Sequence, residues 1–219
     1  MTISYTRLVS RASLAIRASS LLVPGLFALL SAGPVAGAEV IKIPMTGDHW
    51  TVEGNAEFVQ KDGFAALELK QRNAEMKMGT GRAVLNNLVF RDGTIEYDVE
   101  ATGMMGAGFA FRRRDKDAYE DFYLRPSAHC EQAPDCIQYA PQTHGVLLWD
   151  LFPQYQGPAP LKESGWNHVK LVVSGQRMNV FINGTSSPTL KVGKLEGDVL
   201  EGGLMLEGPG VGLRPPGFM

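Results

Sequence analysis

Three carboxylates alternate with apolar residues over one short segment, those of Glu96, Asp98 and Glu100. Because successive side chains of a β-strand point to opposite faces, these three would share one face, while Ile95 and Val99 would share the other. Such a row could cleave a glycosidic bond, although Glu96 and Glu100 begin about 13 Å apart and must converge to reach the ~5.5 Å of a retaining pair. The alternative is a solvated sheet face. Crowded without basic partners, the carboxylates would raise one another's pKa.

A second group of residues combines aromatic rings with planar polar side chains. On the segment from Tyr119 to Arg125, odd-numbered residues would share one face, and Phe122 and Leu124 would point to the opposite, buried face. Sugars bind where rings stack on their C–H surfaces and where planar polar groups form paired hydrogen bonds to hydroxyls. The predicted carbohydrate-binding residues are Arg112, Tyr119, Asp121, Tyr123, Arg125, Gln138 and Trp149. The alternative is that these tyrosines and arginines only cover an exposed sheet face, with Trp149 in the core.

The elements that must position these residues are strands. Helical periodicity is nearly absent, and the 25 glycines lie mainly between apolar runs, where tight bends are needed. Ser174-Gly175-Gln176 and Asn183-Gly184 are typical of two successive hairpin turns. The predicted strands are 50–52, 56–60, 65–69, 94–100, 106–112, 119–125, 137–140, 146–151, 169–174, 178–182 and 204–206. The pattern predicts one all-β domain, a jelly-roll β-sandwich of two curved antiparallel sheets. Trp166 and His168 open one of these strands and are expected at its rim, with no base or metal role for the histidine.

The first 38 residues have the pattern of a signal peptide. Three arginines and no acidic residue precede an apolar run over 21–30, and Ala36-Gly37-Ala38 has the small-residue spacing of a signal-peptidase site. We therefore expect an exported protein, periplasmic or secreted, whose domain begins at Glu39. The apolar run is about half the ~20 residues of a membrane-spanning helix, so no stable membrane anchor is expected.

Charge and motifs exclude several functions. Without residues 1–38 the chain keeps 18 of its 21 basic residues and all 23 acidic ones, a net charge of −5, which would repel nucleic acid. A P-loop, a nucleophile elbow and an HExxH motif are all missing from the sequence, and no cofactor is expected. Oligomeric state is left open by these observations.

Cys130 and Cys136 are the only cysteines and lie six positions apart in a polar loop. In an exported protein they are expected to form a disulfide, which would fix the shape of the loop. The alternative is a metal site that adds His129 and His144, but the spacing lacks the paired motifs of a zinc site, so no metal is predicted.

Four segments together resemble the concanavalin A-like lectin/glucanase superfamily, especially exported bacterial laminin-G-like domains related to the 3-keto-disaccharide hydrolase group. They are 91–99, 119–126, Gln138-Tyr139 and 166–184. The segment from Glu96 to Glu100 is also similar to the E-x-D-x-E strand of family-16 glycoside hydrolases. That resemblance implies that Glu96 is the nucleophile, that Asp98 tunes its neighbours and that Glu100 is the acid/base. The superfamily contains lectins, adhesion modules and glycosidases, so the resemblance specifies the fold more closely than the activity.

The chain departs from this family pattern at its end. Its relatives close with a strand after a glycine-rich turn, whereas residues 207–219 contain three prolines and four glycines after Glu207. Because proline cannot donate to a ladder, we expect the sandwich to span 39–206 and to be followed by an irregular tail, with an unpaired sheet edge nearby.

Three functions follow from these observations. The first is an exported module that binds a saccharide on its polar and aromatic sheet face. The second is a glycoside hydrolase that uses Glu96, Asp98 and Glu100, or a related 3-keto-glycoside hydrolase. The third is a laminin-G-like module that binds protein. Whether the protein is an enzyme is left open.

Overall fold

The computed structural model describes residues 1–5, 39–70, 81–101, 106–208 and 211–214. These residues form two sheets and one 3₁₀ turn, Pro153–Tyr155, which confirms the predicted jelly-roll β-sandwich. The strands are β1 (Thr2–Tyr5), β2 (Glu39–Lys42), β3 (Trp50–Glu53), β4 (Ala56–Lys61), β5 (Phe64–Leu69), β6 (Gly81–Leu85), β7 (Gly93–Ala101), β8 (Ala107–Asp115), β9 (Ala118–Leu124), β10 (Ile137–Thr143), β11 (Val146–Leu147), β12 (Gln156–Gly157), β13 (Asn167–Ser174), β14 (Arg177–Ile182), β15 (Leu190–Val192), β16 (Gly203–Gly208) and β17 (Val211–Arg214).

Each sheet is assembled from strands that are distant in sequence. The first sheet has the order β15-β14-β13-β7-β17-β5-β4, with β1 paired to both β7 and β2. The second sheet has the order β11-β10-β9-β8-β16-β6-β3, with β12 paired to β10. All of these pairs are antiparallel, as the predicted fold requires.

The core lies between the two sheets and is built from alternate residues of each strand. On β7, Ile95, Tyr97 and Val99 are buried, and on β9, Phe122 and Leu124 are buried in the same cluster. This alternation confirms the predicted period of two on both strands. Every second residue of these strands therefore points to an outer face, where chemistry could take place.

The predicted strands are all present, although their ends differ by a few residues, and several strands were not predicted. The unpredicted ones are β1, β2, β6, β12, β15 and β17. They are two to five residues long and carry little periodic signal, so pairing with neighbours rather than local pattern determines them.

The expectation of an irregular tail after 206 is wrong. β16 continues through Gly208, and Val211–Arg214 pairs with β5 on one side and with β7 on the other, so this part of the chain is an interior strand rather than an unpaired edge. The strand Val211–Arg214 contains none of the three prolines. Residues 209–210 and 215–219 lie outside the described residues.

The start of the chain also contributes to the first sheet. Thr2–Tyr5 pairs with β2 and with β7, and Met1 is buried in the core. Removal of residues 1–38 would therefore take one strand out of this sheet. The signal peptide stays a prediction, and residues 6–38 lie outside the described residues.

Candidate functional site

A polar row crosses the outer face of the second sheet. Arg82, Glu207, Gly108, Tyr123 and Gln138 are successive cross-strand partners on β6, β16, β8, β9 and β10. Directly opposed residues of neighbouring strands lie about 4.5–5.5 Å apart at Cβ, so the row is continuous across five strands. We call this surface, together with the side chains of Tyr119, Asp121, Arg125 and Trp149, the polar face.

Small residues form the floor of the polar face. Asp121 has Ala110 and Ala140 as its cross-strand neighbours, and Gly108 is the central residue of the polar row. A Cβ built on Gly108 would lie 3.1 Å from Asp121 Oδ1 and 3.1 Å from Glu207 Cγ. Glycine is needed here for space, because the two acidic side chains both lean over this position.

Asp121 and Glu207 form a buried pair of carboxyl groups. Tyr119 donates its hydroxyl to Glu207 Oε1 at 3.1 Å, and Arg82 Nε donates to Glu207 Oε2 at 3.2 Å. Asp121 Oδ1 is buried and has no hydrogen-bond partner among the described residues. Burial, followed by repulsion from Glu207, raises the pKa of Asp121 well above its ordinary value. Burial also raises the pKa of Glu207, although Arg82 and Tyr119 oppose that shift.

The other half of the polar face is a hydrogen-bonded cluster around Gln138. Its Oε1 accepts from the Tyr123 hydroxyl at 2.7 Å and from Arg125 Nη2 at 2.9 Å, and its Nε2 donates to the main-chain oxygen of Trp149. The Arg125 guanidinium lies 4.8 Å from the centre of the Tyr123 ring and also contacts Asp135. These contacts hold a planar cationic group in one orientation.

The structure brings together six of the seven predicted carbohydrate-binding residues, but it buries more of them than expected. Tyr119 and Tyr123 are only 3% and 6% exposed, so the expectation that both rings lie open to a ligand is wrong. They lie on the outer side of the sheet but are packed against their cross-strand neighbours. Trp149, by contrast, is 56% exposed, so its alternative placement in the core is wrong as well.

Arg112 does not belong to the polar face. It has a positive φ of 51° at an irregularity of the β8–β9 pairing, and its side chain is buried. Its guanidinium donates to the main-chain oxygens of Arg91 and Gly175 and to Asp92 Oδ1. Arg112 therefore ties β8 of the second sheet to turns of the first, and its predicted role in sugar binding is replaced by a structural one.

The carboxylate row of β7 lies on the outer face of the first sheet, away from the polar face. The expectation that these carboxylates lack basic partners is wrong. Glu96 pairs with Lys170 at 3.2 Å, Asp98 with His168 at 2.8 Å, and Glu100 with Lys61. Neighbouring β13 supplies two of these partners, because His168 and Lys170 are the cross-strand partners of Asp98 and Glu96.

Two residues of the polar face were missed by the sequence reasoning. Arg82 lies on β6, which was not predicted, and Glu207 was assigned to the tail. Glu207 is 88 positions from Tyr119 and 125 from Arg82, so only the pairing of β16 with β6 and β8 brings them together. The sequence signal for Glu207 was its place in an alternating segment. Leu204 and Leu206 point to the core, so Glu207 points to the outer face.

The two cysteines form a disulfide, with an S–S distance of 2.03 Å, as predicted. The alternative metal site at His129, Cys130, Cys136 and His144 is therefore wrong, because oxidised cysteines are not thiolate ligands. Within the described ranges, no group of three or more His, Cys, Asp or Glu side chains is arranged to hold a metal ion. The same ranges contain no helix long and apolar enough to cross a membrane.

Several solved structures resemble this fold, whereas no protein-family model and no curated protein matches the sequence. The carbohydrate-binding module CBM66 from Bacillus subtilis is 16% identical with a TM-score of 0.51, over 76% of this chain and 91% of that one. A protein of unknown function with a galectin-like fold, also from Bacillus subtilis, is 15% identical with a TM-score of 0.51, over 77% and 87%. A family-16 endo-glucanase from Bacteroides ovatus is 11% identical with a TM-score of 0.52, over 78% and 83%.

At these identities the likeness shows the fold alone. It agrees with a β-sandwich of the concanavalin A-like lectin and glucanase type, as the sequence resemblance implied. A closer relation to the 3-keto-disaccharide hydrolase group stays a prediction.

Proposed function

We propose that this protein is an exported carbohydrate-recognition domain that binds a saccharide on the polar face of its second sheet. The observation that carries the proposal is the continuous polar row from Arg82 to Gln138, with the Gln138 amide bonded to the main-chain oxygen of Trp149, a residue that is 56% exposed. An exposed ring beside fixed planar donors and acceptors is the combination that sugar rings require. Three likenesses to solved structures, one of them a carbohydrate-binding module, are in accord with this function.

Each part of the polar face has a separate task in this proposal. Trp149 stacks on the C–H surface of a sugar ring. Arg125, oriented by Tyr123 and Gln138, donates paired hydrogen bonds to ring hydroxyls. In simple recognition Asp121 is a supporting residue, because its side chain is only 3% exposed. Tyr119 and Tyr123 are positioning residues, because their rings are buried.

The test is a glycan array followed by calorimetric titration of the oligosaccharides that bind. We expect Trp149→Ala to weaken binding roughly tenfold or more, since one aromatic contact contributes about 1–2 kcal/mol. Val146→Ala is the matched control, because Val146 is a 58% exposed apolar residue of the strand that precedes Trp149. Glu57→Gln, on the other sheet, should bind as the unchanged protein does. Equal binding by the Trp149 variant would contradict the proposal, and no glycan signal at all would favour a laminin-G-like module that binds protein.

A second candidate function is hydrolysis of a glycosidic bond on the same face. It is favoured by the Asp121–Glu207 pair, because a carboxyl group with a raised pKa beside a second carboxyl group is the arrangement of a general acid with its partner. The row of Glu96, Asp98 and Glu100 has less support, since each of these carboxylates is neutralised by a base.

Release of reducing sugar from the glycans that bind distinguishes the two candidates. Under hydrolysis, Asp121→Asn and Glu207→Gln abolish turnover, whereas Glu96→Gln does not. Under simple recognition, neither the unchanged protein nor any of these variants releases sugar.

Export is proposed on two grounds. One is the leader pattern of residues 1–38, and the other is the disulfide between Cys130 and Cys136, which persists in oxidising compartments. Mass spectrometry of protein recovered from the periplasm and the medium tests it. A chain beginning at Glu39 is expected, and an intact first residue would contradict the predicted cleavage.

A further inference from the structure

A depression of about 410 Å³ opens on the outer face of the first sheet, on the opposite sheet from the polar face. Its side chains come from β7, β13, β14 and the turn that follows β14. They are Glu96, His168, Lys170, Phe181, Thr185 and Ser186. The volume falls within the range of about 300–1,000 Å³ that is usual for small-molecule sites.

His168 is held in one orientation at this depression. Its Nδ1 lies 2.8 Å from Asp98 Oδ1, and the Asp98 side chain is only 7% exposed. The main chain of His168 is fixed as well, because its N–H donates to Asn183 Oδ1 and its carbonyl oxygen accepts from the Asn183 N–H, both at 2.9 Å. Asn183 itself begins the tight turn that carries Thr185 and Ser186.

The contact with Asp98 determines what the imidazole can offer a ligand. When His168 is neutral, a carboxylate at Nδ1 keeps the proton on that nitrogen, so Nε2 carries the lone pair. The His168 side chain is 34% exposed, so the ring is accessible from the depression that it lines. His168 therefore presents a hydrogen-bond acceptor toward a hydroxyl group.

The remaining groups of the depression favour a neutral polar ligand. Glu96 and Lys170 neutralise one another at 3.2 Å, and Asp98 balances His168 when the imidazole is protonated. Phe181 adds an apolar surface, and Thr185 and Ser186 add hydroxyls. An anionic ligand would meet Glu96, whereas a hydroxyl-rich ring would find both donors and acceptors.

We propose that this depression is a second binding site, which takes a neutral ligand with several hydroxyl groups and the size of one sugar ring, and in which His168 Nε2 accepts a ligand hydroxyl. Asp98 is then a positioning residue that acts through His168. The site does not depend on saccharide binding at the polar face. If both sites are occupied, the protein holds ligands on opposite faces of the sandwich.

Titration of the protein, labelled with ¹⁵N, with glucose, mannose, galactose, xylose and fructose tests the proposal. We expect at least one sugar to shift the His168 Nε2 signal and the amide signals of Thr185 and Ser186 in a saturable way. The bound sugar should also lower the pKa of His168, because a hydroxyl that donates to Nε2 favours the neutral ring. The charged groups that set this pKa are Asp98, Glu96 and Lys170, and in the uncleaved chain the amino group of Met1 also interacts with Asp98.

Two variants separate the ligand contact from the fold. In His168→Asn, the amide can still donate to Asp98 but no atom replaces Nε2, so we expect roughly a fivefold to tenfold loss of affinity, the equivalent of one hydrogen bond. Lys191→Ala is the matched control on the same outer face, and Trp149→Ala should leave these shifts unchanged. Absence of saturable shifts with all five sugars, or an unchanged affinity in His168→Asn, would overturn the proposal. A response that disappears in Trp149→Ala would assign the binding to the polar face instead.

Discussion

The outer faces of the two sheets both carry carboxylates, but they differ in what each carboxylate contacts. On the first sheet, Glu96 and Asp98 have basic partners on the neighbouring strand β13, and Glu100 contacts Lys61 of β4. On the second sheet, Asp121 and Glu207 share one small space above Gly108, and Glu207 forms an ion pair with Arg82. In the first arrangement each acid contacts a base, whereas in the second burial raises the pKa of both acids. The spacing of acidic residues along a strand therefore predicts their chemistry less well than the side chains that they contact.

The largest effect is expected where the two sheets are tied together. Arg112→Ala removes a buried guanidinium that bonds to Asp92 and to the main-chain oxygens of Arg91 and Gly175, and it takes this donor away from both main-chain oxygens. We expect a loss of about 3–4 kcal/mol in the free energy of unfolding. Arg114→Ala is the matched control, because Arg114 is 56% exposed and pairs only with the adjacent Asp115. Chemical denaturation measures both, and similar losses in the two variants would contradict the structural role of Arg112.

Asparagine substitutions should have opposite signs on the two faces. Asp121→Asn removes an ionisable group that is buried and whose Oδ1 has no hydrogen-bond partner among the described residues, so we expect stability at neutral pH to rise by about 1–2 kcal/mol. Asp98→Asn weakens a charge-assisted hydrogen bond to His168, so we expect a loss of about 1 kcal/mol. Denaturation of both variants at neutral pH provides the measurement. Stability changes of the same sign in the two variants would contradict the proposed difference between the two faces.

The pH dependence of stability sharpens the same comparison. The pKa values of Asp121 and Glu207 are raised in the folded protein, so above about pH 4 the folded chain binds more protons than the unfolded chain. The stability from this pair is therefore complete at low pH and is lost as pH rises through the folded pKa values. Glu120 is also buried with a raised pKa, so Asp121→Asn should remove only part of the slope. Denaturation midpoints measured from about pH 4 upward test the assignment. The same dependence of the midpoint on pH in Asp121→Asn and in the unchanged protein would contradict it.

How much of the fold and of the candidate site could be predicted from the sequence depends on how far apart along the chain the contacting residues lie. The alternation of Tyr119, Asp121 and Tyr123 with Phe122 is local, and the period of two predicted which side each residue faces. Their burial is not local, because it comes from strands β16 and β8 on one side and β10 on the other. The same holds for Asp98 and His168, which are 70 positions apart and meet only through the register of β7 and β13. A lone histidine therefore had no visible role until its cross-strand partner was known.

The pKa of His168 reports directly on its partner. The hydrogen bond from Asp98 raises the pKa of His168 above its ordinary value, and burial opposes that shift. Stability from this contact is present below the unfolded pKa near 6.5 and is lost as pH rises through the folded pKa. We expect Asp98→Asn to lower the His168 pKa, as followed by NMR. Glu53→Gln is the matched control on an exposed strand, and an unshifted pKa in Asp98→Asn would show that the contact is not formed in solution.

The smallest effect on stability is expected at the Lys61–Glu100 ion pair of the first sheet. Lys61 contacts Glu100 and lies 5.6 Å from the centre of the Trp166 ring, but its side chain is 41% exposed. Water screens such a pair, and ordering a long side chain costs entropy, so Lys61→Ala should change stability by no more than about 0.5 kcal/mol. Arg82→Ala is the counterpart on the second sheet and should cost more, because Glu207 is only 14% exposed and would lose its ion pair with Arg82. Chemical denaturation of the two variants measures both losses in the free energy of unfolding. A larger loss in Lys61→Ala than in Arg82→Ala would contradict the expectation that the more buried ion pair contributes more.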